Sequence, residues 1–359
     1  MSGRWIILLF FFNAFLNSLT VAQQSPAPSA GNWVVLDSGF VFSNPPFTSC
    51  HASTLVELGD GRLMAAWFAG TAEGKADVAI WSSVYTGHRW SEPLVLARGL
   101  DSQGQPSPCW NPALFRTSAG RLFVFYKVGP SPREWWGEFK SSTNDGFSWS
   151  EPARLPAGFL GPVRNKPLQL ESGELLCPSS TEEMNGNWQI HLERCDSLGR
   201  NWQRINVACD TLGVIQPALL TYPDGSLQLL CRSRHNRIAE SWSYDNGHTW
   251  QPLRLTSLAN PNSAIDALSL GKSGQLIVYN PLPAGKDWWL GRSVLKLAAS
   301  FNGRDWTDLA TLENHDTGEY SYPAIISTSG GLVFISYTWQ RKNIRFWAGR
   351  YDPPYHGHK

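Results

Sequence analysis

Arg232, His51 and Tyr320 stand far apart in the chain, yet each carries a group that a carboxylate-handling site would use. A guanidinium offers paired, charge-assisted hydrogen bonds to a carboxylate. An imidazole acts as acid or base near neutral pH. A phenol, with an ordinary pKa near about 10, becomes a nucleophile only beside a base or in a positive field. Lys127 and Lys166 would add positive charge, and Asn111, Gln216 and Asp266 hydrogen-bonding capacity. Trp67 and Trp110 offer ring faces against which sugar C–H groups stack. A structural role competes with each: an arginine covering a ring, a tyrosine in ordinary strand packing, a histidine satisfied by backbone, a tryptophan between sheets. No Cys-x-x-Cys and no His/Cys cluster at metal-ligand spacing occurs, so neither metal nor cofactor is expected.

A repeat supplies the means of bringing such residues together. Ser243-Tyr244-Asp245-Asn246-Gly247-His248-Thr249-Trp250 follows the pattern Ser-x-Asp-x-Gly-x-Thr-Trp, and Ser142 to Trp149 repeats it with Asn144 at the Asp position. More degenerate copies end at Trp90, Trp202 and Trp306, each with a glycine three residues earlier. In such a hairpin Gly takes the positive φ, Asp or Asn caps the turn, and Trp packs beneath it. Repetition at a period near about fifty residues turns a weak motif into a strong one. Six Gly-x-Leu segments interleave with these boxes, beginning at Gly61, Gly120, Gly173, Gly225, Gly274 and Gly330. Each lies between two apolar runs and reads as strand, turn, strand. Six units of about four strands predict an all-β, six-bladed β-propeller over residues 32–352. Trp33 to Phe42 is expected to lend the last blade its outer strand and close the ring. A two-sheet sandwich is the rival, and the regular period argues against it.

This architecture locates the chemistry. If the glycine turns lie on one face, the starts of the innermost strands and the ends of the second strands meet on the other, around the axis. His51, Trp110-Asn111, Asn165-Lys166, Gln216, Asn262 with Asp266, and Tyr320 fall at the starts. Trp67, Lys127, Ser179-Ser180, Arg232, Asn280 and Tyr337 with Trp339 fall at the ends.

Composition narrows the classes. Thirty Lys and Arg against 29 Asp and Glu leave a net charge of +1, which gives no reason to expect nucleic-acid binding. Eighteen Trp, 32 Gly and 24 Pro describe short strands and many turns. Arg4, the short apolar run Ile6 to Leu16 and Thr20-Val21-Ala22 read as a signal peptide over 1–22. A leader over 23–31 follows, and 353–359 form a tail. The expected location is extracellular, or periplasmic in a bacterium, without stable membrane insertion. Cysteines are then free to pair, with Cys195 and Cys209 the expected pair and Cys177 and Cys231 expected as buried thiols.

Six blades, Asp boxes and this rim resemble the sialidase (neuraminidase) superfamily over nearly the whole mature chain, from about Cys50 to Tyr351. The resemblance implies a carboxylate held by arginines, a tyrosine nucleophile activated by a glutamate, and an aspartate acid. It implies that Arg232 in Leu230-Cys231-Arg232-Ser233 and Arg292 in Trp289-Leu290-Gly291-Arg292 are two of those arginines, and that Tyr320 is the nucleophile. The chain departs from the family at three places. His51 replaces the first arginine, Gln216 stands where the activating glutamate belongs, and Glu73, or failing it Asp77, matches the acid.

Three functions follow. The first is hydrolysis of a terminal acidic sugar, sialic acid or a relative, from a glycan. The second is β-elimination at a terminal uronic acid with His51 and Tyr320 as acid and base. The third is carbohydrate binding without catalysis. In all three the partner is an acidic glycan.

Overall fold

The computed structural model describes residues 31–209, 212–287 and 290–354. The expected signal peptide and nearly all of the leader lie outside these residues, as do Trp288, Trp289 and the end of the tail. Apolar runs separated by glycine turns fold into six four-stranded antiparallel sheets. Blade 1 spans Ser49 to Ala97, blade 2 Cys109 to Arg154, blade 3 Leu168 to Asn206, blade 4 Val214 to Ala259 and blade 5 Asp266 to Asn314. Blade 6 takes three strands from Tyr320 to Asp352 and its outermost from Asn32–Phe40, which pairs antiparallel with Asn343–Asp352. First and last strands thus share one sheet, and the ring closes without a free terminal blade. Among the described residues no helix is long and apolar enough to cross a membrane.

The core is divided among the blade interfaces. Each of six apolar clusters draws its side chains from two neighbouring blades, as Leu114, Val124 and Tyr126 of blade 2 meet Ala66, Phe68 and Ile80 of blade 1. The other five join blades 6 and 1, 5 and 6, 3 and 4, 4 and 5, and 2 and 3. Alternation along each strand sends side chains to both interfaces, so most inner strands are buried on both faces.

The Asp box of blade 4 has the hydrogen bonding its sequence implies. Ser243 Oγ donates to Asp245 at 2.8 Å and accepts from Gly247 N at 2.9 Å. Thr249 donates to Asp245 through both its backbone and its hydroxyl. These bonds hold the Asp245 carboxyl down at about 2. Gly247 has φ +80°, and a Cβ there would sit 2.8 Å from Leu176 of blade 3. Trp250, Trp202 and Trp306 each donate an indole N–H to the carbonyl of the glycine three residues earlier. In blade 4, Leu227 pairs with Ser243, whereas Arg232 pairs with Ile238 and Ile215. The box and Arg232 therefore sit at opposite ends of the blade.

Cys195 and Cys209 are not partners. Cys195 lies beside Cys177 in the interface of blades 2 and 3, and Cys209 beside Cys231 in that of blades 3 and 4. Blade 3 separates the two.

Candidate functional site

The inner strands of blades 1, 2, 4 and 6 share one irregularity. The ladder skips between His51 and Thr54, Trp110 and Ala113, Ile215 and Ala218, and Ser321 and Ala324. At each skip one residue has positive φ: Ala52, Asn111, Gln216 and Tyr322, at 57°, 41°, 57° and 56°. In three of the four a proline follows, which removes a ladder donor where the strand bends. Left-handed backbone at a residue other than glycine costs about 1–3 kcal/mol, and such strain gathers where a side chain must be aimed. Arg164 at 88° and Asn262 at 58° precede the first strands of blades 3 and 5.

Tyr322 is the centre of what these bulges aim. The guanidinium carbons of Arg164, Arg292 and Arg232 lie 5.6, 5.8 and 5.9 Å from the centre of its ring. Arg232 Nη1 donates to Tyr322 Oη at 2.8 Å and to Gln216 Oε1 at 3.3 Å, while its Nε donates to Asn262 Oδ1 at 2.8 Å. Asn262 also accepts from Arg292 through its carbonyl oxygen, at 3.4 Å, and so ties the two arginines together. Arg292 pairs with Glu319 at 2.9 Å, and Arg341 bridges Glu319 and Glu73. Against the penalty of burial, Arg341 and Arg292 hold the Glu319 carboxyl below its usual range. Burial lowers Arg164 to about 10.

His51 completes the cluster. Its ring centre is 4.0 Å from that of Tyr322, and neither ring nitrogen has a hydrogen-bond partner among the described residues. Burial, then the charges of Arg341, Arg292, Arg164 and Arg232, push its pKa well down and favour the neutral imidazole.

Tyr322 and Arg232 open onto a cleft of about 590 Å³ that also takes in Asn262, Trp188, Arg234 and Glu182. Arg234 lies 4.0 Å over the Trp188 ring. Burial raises the Glu182 carboxyl above its usual range, with Arg232, Arg133 and Arg234 pulling the other way. The cleft thus holds a cationic clamp, a phenol and a carboxyl whose pKa burial raises.

Of the residues singled out from sequence, His51, Gln216, Arg232 and Arg292 come together here. Glu73 stands at the edge, exposed and paired with Arg341. Asp77, the alternative to Glu73, accepts two bonds from Thr71 and shapes its loop. Asn111 is buried at the bulge of blade 2. The remaining residues are elsewhere. Tyr320 is 2% exposed in the interface of blades 5 and 6, stacked on His315 at 4.3 Å, and its hydroxyl accepts from Gln340. Trp67 is wholly buried against Phe42 and Phe47. Trp110 is buried with Phe68, its N–H donating to the Gly129 carbonyl. Lys127 is buried and donates to the Pro162 carbonyl at 2.7 Å, and burial lowers its ammonium to about 7. Lys166 and Asp266 are spent on each other, and Asp266 also accepts from Ile325 N at 2.9 Å.

Tyr322, Arg164, Arg341 and Glu182 were not singled out. A signal for Tyr322 was present: Asn111-Pro112-Ala113, Gln216-Pro217-Ala218 and Tyr322-Pro323-Ala324 occupy one register in three blades. Aligning on proline would have selected Tyr322 over Tyr320.

A model of the BNR repeat-like domain matches residues 61–335. No curated protein matches the chain significantly. A protein of unknown function from Dyadobacter fermentans superposes with a TM-score of 0.74 at 14% identity, covering 89% of this chain and 99% of that one. The NanB sialidase from Streptococcus pneumoniae gives 0.66 at 13% identity, covering 87% and 70%. The intramolecular trans-sialidase from Ruminococcus gnavus gives 0.66 at 14%, covering 89% and 98%. At such identities the likeness establishes the fold, and the family match covers most of the chain: this protein belongs to the BNR repeat-like family and is a divergent, sialidase-like six-bladed propeller.

Proposed function

We propose that this protein is an exported glycosidase that removes a terminal carboxylate-bearing sugar, sialic acid or a close relative, from a glycan, with Tyr322 as its nucleophile. The observation that carries the reading is the position of Tyr322 in a cleft, its hydroxyl bound by Arg232 and its ring within 6 Å of three guanidiniums. Arg232 takes the sugar carboxylate through Nη2, which has no partner among the described residues, and Arg292, 1% exposed and paired with Glu319, adds its charge from behind. The bound carboxylate offsets the arginine charges that disfavour a protonated His51, which then accepts the Tyr322 proton. Tyr322 Oη bonds to the anomeric carbon as the glycosidic C–O bond breaks, and Glu182 protonates the leaving oxygen. Water then releases the sugar from the tyrosine. That sialidases use a tyrosine nucleophile supports this assignment.

Two features of the site favour a second reading. Gln216 is an amide and cannot take a proton, and His51 adjoins the phenol. Elimination at a uronic acid would use the same clamp to acidify the C–H beside the carboxylate, with His51 as base and Tyr322 as acid. Incubation with sialyl and uronyl oligosaccharides separates the readings. Hydrolysis yields a saturated free sugar, and elimination yields an unsaturated uronate that absorbs in the ultraviolet. Release of neither product, with binding retained, would leave a lectin.

A further inference from the structure

A second cleft, of about 710 Å³, adjoins the first, and Glu182 lines both. Its walls come from the loop before the third strand of blade 2, the loop that follows that blade, the end of the second strand of blade 3 with Glu182 and Glu183, and Arg204 on that blade's outer strand. Three guanidiniums line it, those of Arg133, Arg154 and Arg204. Among the described residues none of the three has a carboxylate within 4.0 Å. Arg154 lies 4.4 Å over the half-buried ring of Trp136, and Arg204 donates to Asn206. Trp135 adds a second half-buried indole.

We propose that this cleft receives the leaving-group side of the substrate and selects an anionic sugar there, one bearing a carboxylate or a sulfate. The inference rests on the reading above, in which Glu182 protonates the leaving oxygen. A residue in that role touches the departing sugar, and the cleft beyond it is where that sugar extends. Arginines without carboxylate partners supply the paired donors that a carboxylate or sulfate accepts. The indoles supply apolar faces for the sugar ring. Arginine held flat on an aromatic ring loses less freedom when it binds an anion than a free side chain does.

The test uses the full-length protein and two kinds of measurement. Titration calorimetry with digalacturonate, a sulfated galactobiose and neutral galactobiose reads the cleft without turnover. Either or both anionic disaccharides should bind, the neutral one should not, and the Arg154→Ala/Arg204→Ala double variant should lose at least about tenfold in affinity. Arg232→Ala, which disables the first cleft, should still bind an anionic disaccharide, and adding Arg154→Ala and Arg204→Ala to it should abolish that binding. The two anionic probes also decide between carboxylate and sulfate. Loss of binding in Arg232→Ala but not in the double variant would place the anion in the first cleft and overturn the proposal, as would no binding to wild type. Turnover is then compared on one terminal acidic sugar joined to an anionic or a neutral acceptor. The double variant should raise KM for the anionic acceptor at least about tenfold and for the neutral one less than about twofold. Equal effects on both would contradict the selection. Absence of all turnover alongside the expected binding pattern would fault the glycosidase reading and leave the cleft assignment standing.

Discussion

The His51 ring lies 4.0 Å from that of Tyr322, tilted by 47°, and both its nitrogens are buried without a partner among the described residues. Four arginines around it disfavour its protonation. A buried imidazole without hydrogen bonds is costly to the fold. Its place beside the phenol explains that cost if His51 exchanges a proton there during turnover.

Stability should record His51 directly. Its pKa in the fold is well below the ordinary 6.5, first through burial and then through Arg341, Arg292, Arg164 and Arg232. Below about 6.5 the unfolded chain takes up a proton that the folded chain refuses, so stability is full above that pH and declines beneath it. The decline attributable to one such group approaches about 1.4 kcal/mol per pH unit. Urea unfolding of wild type and His51→Gln between about pH 7.5 and 5 should show a shallower slope in the variant. Parallel slopes would mean that folding leaves the His51 pKa where it stands in the unfolded chain.

The clamp should show itself through charge. Arg232→Ala should weaken a carboxylate-bearing sugar by roughly 2–5 kcal/mol. The matching sugar amide should lose much less. Equal losses for acid and amide would assign Arg232 to packing against Trp188 and Tyr322 instead.

Glycine substitutions separate backbone conformation from contact. Gly225 has φ +84°, and a Cβ placed there would meet nothing within 4 Å, so Gly225→Ala carries only the left-handed penalty of about 1–2 kcal/mol. Gly247 has φ +80° and would press its Cβ to 2.8 Å from Leu176, so Gly247→Ala should cost more. Chemical denaturation of the pair tests this. Equal costs would show that the Asp box does not seal blade 4 against blade 3.

The blades were legible because their signals recur. A turn of Gly-x-Leu is ambiguous once, but six of them alternating with Asp boxes leave one architecture, and even the closing strand near Trp33 could be placed. Side-chain direction was harder to read. Trp67 is expected from sequence at a strand end, yet it stands within Leu63–Gly70, where alternation turns its ring into the interface of blades 6 and 1. Tyr320 and Tyr322 share one strand, and the bulge after Ser321 sends one into the core and the other into the cleft. Arg164, Arg341 and Glu182 carry no repeat register, since they come from loops or from a strand's last residue.

Tyr322→Phe and Tyr320→Phe, compared on one acidic-sugar substrate, test the central claim most directly. Each variant loses a single hydroxyl. Tyr322→Phe should lower kcat by at least about 10²-fold, the lower bound for removing a group that transfers a proton in the reaction, with binding nearly unchanged. Tyr320→Phe, which gives up its bond from Gln340 in an apolar interface, should keep kcat within about threefold and lose only stability, about 1 kcal/mol. Full activity in Tyr322→Phe together with inactive but folded Tyr320→Phe would contradict the assignment of this cleft.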